Sequence, residues 1–133
     1  MAVDSPLKCV MLIDDDPDDN FLHQLVIRDT GLDPEILIAE SGEKALDFFT
    51  GNREFKKPDI IFLDINMPGM NGFDFLERYK KLPESMQTGT KIVVLSTSSL
   101  PRDQQKATSI WSNVFYRTKP LTEEIIEEIV AAR

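Results

Sequence analysis

Five short apolar runs set the limits of what this chain can fold into. They are Val10–Ile13, Ile36–Ile38, Ile60–Leu63, Ile92–Leu95 and Val114–Tyr116, and stretches with apolar residues at helical spacing separate them. Short runs of this kind, bounded by turn residues, read as strands, and the central one, Ile60–Leu63, as a strand buried on both faces. Strands that alternate with helices build a parallel sheet with right-handed crossovers. The expected fold is therefore α/β: a doubly wound, five-stranded parallel sheet with five helices, of flavodoxin-like topology. In such a sheet all strands end on one edge, and open α/β sheets place their chemistry there.

Local chemistry sets the expected boundaries. Strands are expected at Val10–Ile13, Glu35–Ala39, Asp59–Leu63, Lys91–Leu95 and Asn113–Thr118. The first helix follows the acidic run Asp14–Asp19, with Asp16 as its cap and Pro17 at its first position. Asp18 and Asp19 then meet the positive end of the helix dipole. Phe21, Leu22, Leu25 and Val26 are expected to form the apolar face of that helix, and Gly31 to end it. Ser41 caps a second helix that Gly51 stops. The third carries Phe73, Phe75, Leu76, Tyr79 and Leu82 and ends before Pro83. Pro83–Thr90 reads as a polar connection. A more polar fourth helix covers Pro101–Trp111, and the last, Leu121–Ala132, turns Ile125, Ile126, Ile129 and Val130 to the core. Residues 1–6 read as a loose lead-in.

The 133 residues support one domain, with a core over about residues 8–130 and nothing left for an attached output domain. A net charge of -8 argues against a nucleic-acid surface, which needs clustered Lys and Arg, and suits a site that holds a cation. Cys9 is the single cysteine, so no internal disulfide can form, and its place in the first run marks it as a small buried hydrophobe. No run approaches the roughly 18 apolar residues of a membrane span. The N-terminus lacks the regions of a signal peptide, so the expected address is cytoplasmic and no membrane partner is expected.

What ends each strand matters most. The first run stops at Asp14-Asp15-Asp16, the third at Asp64 before the turn-rich Asn66–Gly72, the fourth at Ser96 and the fifth before Lys119-Pro120. Taken singly, these are a capping turn, a loop acid, a loop hydroxyl and a surface lysine. Together they put three carboxylates, a hydroxyl and an ammonium on one edge. Crowded carboxylates repel one another and hold their protons more tightly, and a hard divalent cation relieves that conflict. Mg²⁺ prefers oxygen ligands and keeps waters that a phosphate oxygen can replace. A metal, a Lys and a hydroxyl match the charge on a transferring phosphoryl group, with a carboxylate as its nucleophile. The chain has no Gly-rich nucleotide loop, so the phosphoryl is expected from an already activated donor.

Asp14-Asp15, Asp64, Ser96 and Lys119-Pro120, in this order and spacing from Lys8 to Val130, resemble the receiver domain of two-component response regulators of the stand-alone, CheY-like kind. The resemblance implies roles. Asp64 would accept the phosphoryl group, and Asp14 and Asp15 would be the acid pair. Asp15, Asp64 and the backbone carbonyl of Asn66 would contact Mg²⁺ directly, with Asp14 acting mainly through water. Ser96 would move to the phosphoryl oxygen, Lys119 would hold it, and Tyr116 would be the aromatic switch. Lys119-Pro120 is often cis in this family. The donor would be a sensor histidine kinase or a histidine phosphotransfer protein. The chain would be a phospho-acceptor that speeds its own transfer and hydrolysis rather than an enzyme, and a monomer or weak dimer. It would pass its signal to a downstream protein through the fourth helix, fifth strand and fifth helix, with Trp111 and Arg117 as candidate contacts. One departure is Ser109–Asn113, where the family commonly has a Gly-Ala pair. Trp111 itself suits either the core or a partner anchor.

Rival readings stay open at this level. A phosphatase of the haloacid dehalogenase type also uses an aspartyl nucleophile after a first strand, and Asp14-x-Asp16 begins its pattern, but Asp18 stands where Thr or Val belongs. A degenerate receiver that signals by binding alone is another. A calcium loop fails on spacing, with Asp19 and Leu25 where Gly and Glu are required. A flavodoxin-like phosphate binder fails because acids follow the first strand. His23 reads as a structural side chain away from the strand-end edge.

Overall fold

The five runs become β1 (Cys9–Ile13), β2 (Glu35–Ala39), β3 (Ile60–Leu63), β4 (Lys91–Ser96) and β5 (Phe115–Thr118) in a computed structural model that describes residues 7–51 and 56–132. The lead-in expected at residues 1–6 lies outside the described residues. Between the strands run α1 (Pro17–Asp29), α2 (Gly42–Thr50), α3 (Gly72–Tyr79), α4 (Pro101–Ile110) and, last, α5 (Glu123–Ala131). The strands form one parallel sheet in the order β2-β1-β3-β4-β5. The doubly wound α/β fold is as expected, with ends shifted by one or two residues. Pro83–Thr90 is not featureless, since Glu84–Met86 forms a 3₁₀ turn.

Alternate residues of each strand point to opposite faces, so the buried runs feed two cores. Met11, Ile13, Ile61, Leu63, Ile92 and Val94 meet Ala45 and Phe49 of α2, Phe75, Leu76 and Tyr79 of α3, and Ala107 of α4. Val10, Leu12, Ile60, Phe62, Val93 and Leu95 meet Ile27 of α1 and Ile126 and Ile129 of α5. Trp111 joins the first core from its edge: half-buried, its ring lies 5.3 Å from that of Tyr79. The segment that departs from the family pattern closes by a bond from the Val114 N–H to the Trp111 carbonyl.

Three of the four residues expected on the inner face of α1 lie outside it, and only Val26 packs against the second core. Phe21, Leu22 and Leu25 are 60%, 55% and 42% exposed, and Asn20, His23 and Ile27 are buried instead. The reason lies at the strand ends. The start of α1 borders the polar edge of the sheet, where an inward side chain needs hydrogen-bonding atoms, and Asn20 donates there to the Asp14 carbonyl at 2.9 Å. Only deeper along the helix does the inner face meet apolar side chains, at Val26 and Ile27. A urea titration checks this. Phe21→Ala and Leu22→Ala are expected to change stability by no more than about 0.5 kcal/mol, while Ile27→Ala costs roughly 2–5 kcal/mol.

Candidate functional site

The register of the sheet assembles the site. Ile13 pairs with Leu63, Leu63 with Val94, and Ser96 with Thr118, so the residues that end β1, β3, β4 and β5 share one edge. The chain holds each end in place. Asp64 donates its N–H to the Ile13 carbonyl at 2.9 Å and Lys119 to that of Ser96 at 2.8 Å. Asp14 and Asp64 each accept from the N–H two residues on, at Asp16 (3.0 Å) and Asn66 (3.1 Å), which aims their carboxylates along the edge. Gly72 lets the loop after Asp64 return against the strand end: a Cβ there would stand 2.6 Å from Ile65 Cα and 2.7 Å from the Asp64 carbonyl oxygen. Lys119-Pro120 is cis.

Asp14 and Asp64 are buried and Asp15 is exposed, and one oxygen of each lies within 4.8 Å of the others. That donor set, all hard oxygens and open to water on the Asp15 side, fits a divalent cation. Lys119 reaches in from β5. Its Nζ lies 2.9 Å from Asp14, 2.7 Å from Asp19 and 3.8 Å from Asp64. Burial works against the ammonium charge, but the bonds to Asp19 and Asp14 and the charges of Asp14 and Asp64 outweigh it, so Lys119 titrates above the ordinary lysine range. Ser96 is fully buried, and its Oγ accepts from the Ser98 N–H at 3.0 Å. Tyr116 is half-buried, with its hydroxyl donating to the Ser98 carbonyl at 2.9 Å. Asn66 is exposed at the mouth of the site.

Asp64 holds its proton more tightly than a free carboxyl. Burial is the main cause, Asp14 and Asp15 add to it, and the Asn66 N–H and Lys119 oppose it. The sign of the linkage follows. A native pKa above the unfolded value means the ionised form destabilises the fold, so stability falls as pH rises from the ordinary carboxylate range, about 3.9, through the raised value. Asp64→Asn removes that penalty. In metal-free buffer at pH 7 the variant is expected to be more stable than wild type, with a higher urea midpoint. Denaturant titrations from pH 7 down to 4 should show the gap closing.

Three contributors escaped the sequence reading. Asp19 was assigned to the helix dipole and instead bonds Lys119. Asn20 steadies Asp14. His23, placed away from the edge, is buried and feels it: burial lowers its pKa first and Lys119 second, against Asp14 and Asp19. The available cue was that only three residues separate β1 from α1, which forces the first turn of the helix against the strand ends.

A sequence profile described as response regulator receiver domain matches residues 10–131. The chain belongs to this family. A two-component response regulator from Cytophaga hutchinsonii superposes with a TM-score of 0.83 at 36% identity, over 92% of this chain and 93% of that one. Response regulator Rcp1 of Synechocystis sp. is 31% identical over 97 residues, which span 71% of this chain and 65% of Rcp1. The Mn²⁺-bound form of Rcp1 superposes with a TM-score of 0.71 at 28% identity, covering 92% of this chain and 88% of that chain. The phosphorylated cyanobacterial phytochrome response regulator RcpA matches at 27% identity, TM-score 0.74, over 93% and 89% of the two chains. The receiver thus carries its acid cluster at the sheet edge of a CheY-like fold, and the family match favours it over the haloacid dehalogenase rival. None of its described helices is long and apolar enough to cross a membrane.

Proposed function

We propose that this receiver takes a phosphoryl group onto Asp64 from a phosphohistidine, borne by a sensor histidine kinase or a histidine phosphotransfer protein. The N–P bond of the donor breaks as the Asp64 carboxylate forms an O–P bond, and the imidazole leaves with the electron pair. The nucleophile is already ionised, so no general base is needed. Asp14, Asp15, Asp64 and the Asn66 carbonyl would hold Mg²⁺, which would neutralise charge on the phosphoryl oxygens. Lys119 supplies the second positive charge and Ser96 a hydroxyl donor. The observation that carries this reading is the convergence of three carboxylates and Lys119 at one sheet edge.

The switch runs through Ser98. Its N–H donates to Ser96 and its carbonyl accepts from Tyr116. Its hydroxyl donates to Asp103 at 2.6 Å and accepts from the Leu100 N–H at 3.2 Å, at the start of α4. When Ser96 turns to the phosphoryl group it releases Ser98, and Tyr116 and α4 lose their common anchor. The α4-β5-α5 surface then repacks and its affinity for a downstream protein changes. Arg117, paired with Glu128 of α5 at 2.9 Å, sits on this surface.

Intact mass after incubation with acetyl phosphate, with and without Mg²⁺, tests the chemistry. The expected result is one phosphoryl adduct that needs Mg²⁺ and is removed by neutral hydroxylamine, as an acyl phosphate is. No adduct from acetyl phosphate or phosphoramidate would mean a receiver that works by binding alone.

A further inference from the structure

We propose that Asp19 is a positioning residue that restrains Lys119 in the resting site and competes with the phosphoryl group for it. The proposal rests on the reading of Asp64 as the acceptor. An ammonium has three N–H donors. Here two are engaged, by Asp19 at 2.7 Å and Asp14 at 2.9 Å, and Asp64 lies beyond hydrogen-bond reach at 3.8 Å. Lys119 is therefore held toward α1 and away from the acceptor. Its side chain is only 12% exposed, so little water competes for it.

The Asp19 carboxylate is delivered by a fixed element. Asp16 caps α1 through the Asp18 N–H at 2.9 Å, the Asn20 N–H closes the first turn onto the Asp16 carbonyl at 3.1 Å, and the Asn20 side chain ties that turn to Asp14. Asp19 also stands outside the group of carboxylates whose oxygens converge, which is Asp14, Asp15 and Asp64. Its contact is with Lys119, and its charge acts on whatever arrives.

Two effects of opposite sign follow. Without a phosphoryl group, the Asp19 charge and its hold on Lys119 favour a divalent cation among the other acids. With one, the same charge repels the added oxygens and keeps Lys119 from turning to them. Asp19→Asn is therefore expected to bind Mg²⁺ about threefold more weakly, and to bind beryllofluoride, in saturating Mg²⁺, about fivefold more tightly. A merely structural Asp19 would weaken both when replaced. Asp18→Asn, at the same helix end, controls for the dipole and should leave both affinities within about twofold of wild type. Asp19→Glu, which keeps the charge, should return both toward wild type.

Calorimetric titration of the full chain with MgCl₂, then of the Mg²⁺-saturated protein with beryllofluoride, reads both quantities. Beryllofluoride affinity that is unchanged or lower in Asp19→Asn overturns the proposal, and so does an equal gain in Asp18→Asn. An Asp64→Asn arm separates the two levels. If wild type binds beryllofluoride, Asp64→Asn does not, and Asp19→Asn matches wild type, the Asp19 proposal alone fails. If wild type binds none, or Asp64→Asn binds as well as wild type, the reading of Asp64 as acceptor fails and Asp19 with it.

Discussion

Asp64→Asn is expected to abolish phosphoryl uptake from acetyl phosphate, with no adduct in the intact mass at any Mg²⁺ concentration. The substitution keeps the size of the side chain and the backbone bond from Asp64 to Ile13. It replaces a carboxylate by an amide, whose oxygen carries no charge with which to attack phosphorus. A urea titration of the same samples, in which the variant is expected to be at least as stable as wild type, separates this loss from unfolding. Asp14→Asn should behave differently. Asp14 is a partner of Lys119 and a member of the proposed cation site, so its variant should label slowly rather than not at all. An adduct that survives Asp64→Asn and vanishes in Asp14→Asn would move the nucleophile to β1 and revive the phosphatase chemistry.

The second large effect is expected from Lys119→Ala. The ammonium faces three carboxylates, and Asp14 and Asp64 are buried. On the proposed chemistry, in which Lys119 turns to the phosphoryl oxygens, its removal takes a positive charge from the transition state, an effect of about a hundredfold or more in labelling rate. It also leaves buried carboxylates without a counter-charge. Breaking a fully buried ion pair costs about 3–5 kcal/mol. Asp19 is partly exposed and Asp15 opens the site to water, so the expected loss here is smaller, about 2 kcal/mol. Saturating Mg²⁺ should recover much of it. The pH dependence has a definite sign. The pKa of Lys119 is raised, so its contribution is fully present below the unfolded lysine value of about 10.4 and is lost only as pH climbs through the native value above it. Between pH 7 and 9 the Lys119→Ala deficit in urea unfolding should therefore stay constant. A deficit that changes steeply in that window, or that Mg²⁺ leaves untouched, would contradict the counter-charge role.

The sequence by itself determined the class of fold and the membership of the sheet edge. The four-residue apolar runs Val10–Ile13, Ile60–Leu63 and Ile92–Leu95 are buried on both faces in a covered sheet, and a parallel sheet sends every run's last residue to one side. Strand topology alone therefore brings Asp14, Asp64, Ser96 and Lys119 together, although Asp14 and Lys119 stand 105 residues apart. Capping was equally local: Asp16 and Ser41 each accept from an N–H within three residues. Tertiary structure decided what local patterns leave open. Helix α1 has two faces with claims to the interior. Which one turned inward depended on the polar strand ends beneath its first turn, so Asn20, His23 and Ile27 displaced Phe21, Leu22 and Leu25. Partner choice was also decided there. The bonds from Lys119 to Asp19 and from Tyr116 to Ser98 depend on distances between separate elements, set by packing. Hydrophobic period and turn chemistry act over a few residues, whereas a charge or a hydroxyl finds its partner only where the whole sheet and its helices have brought the two within reach.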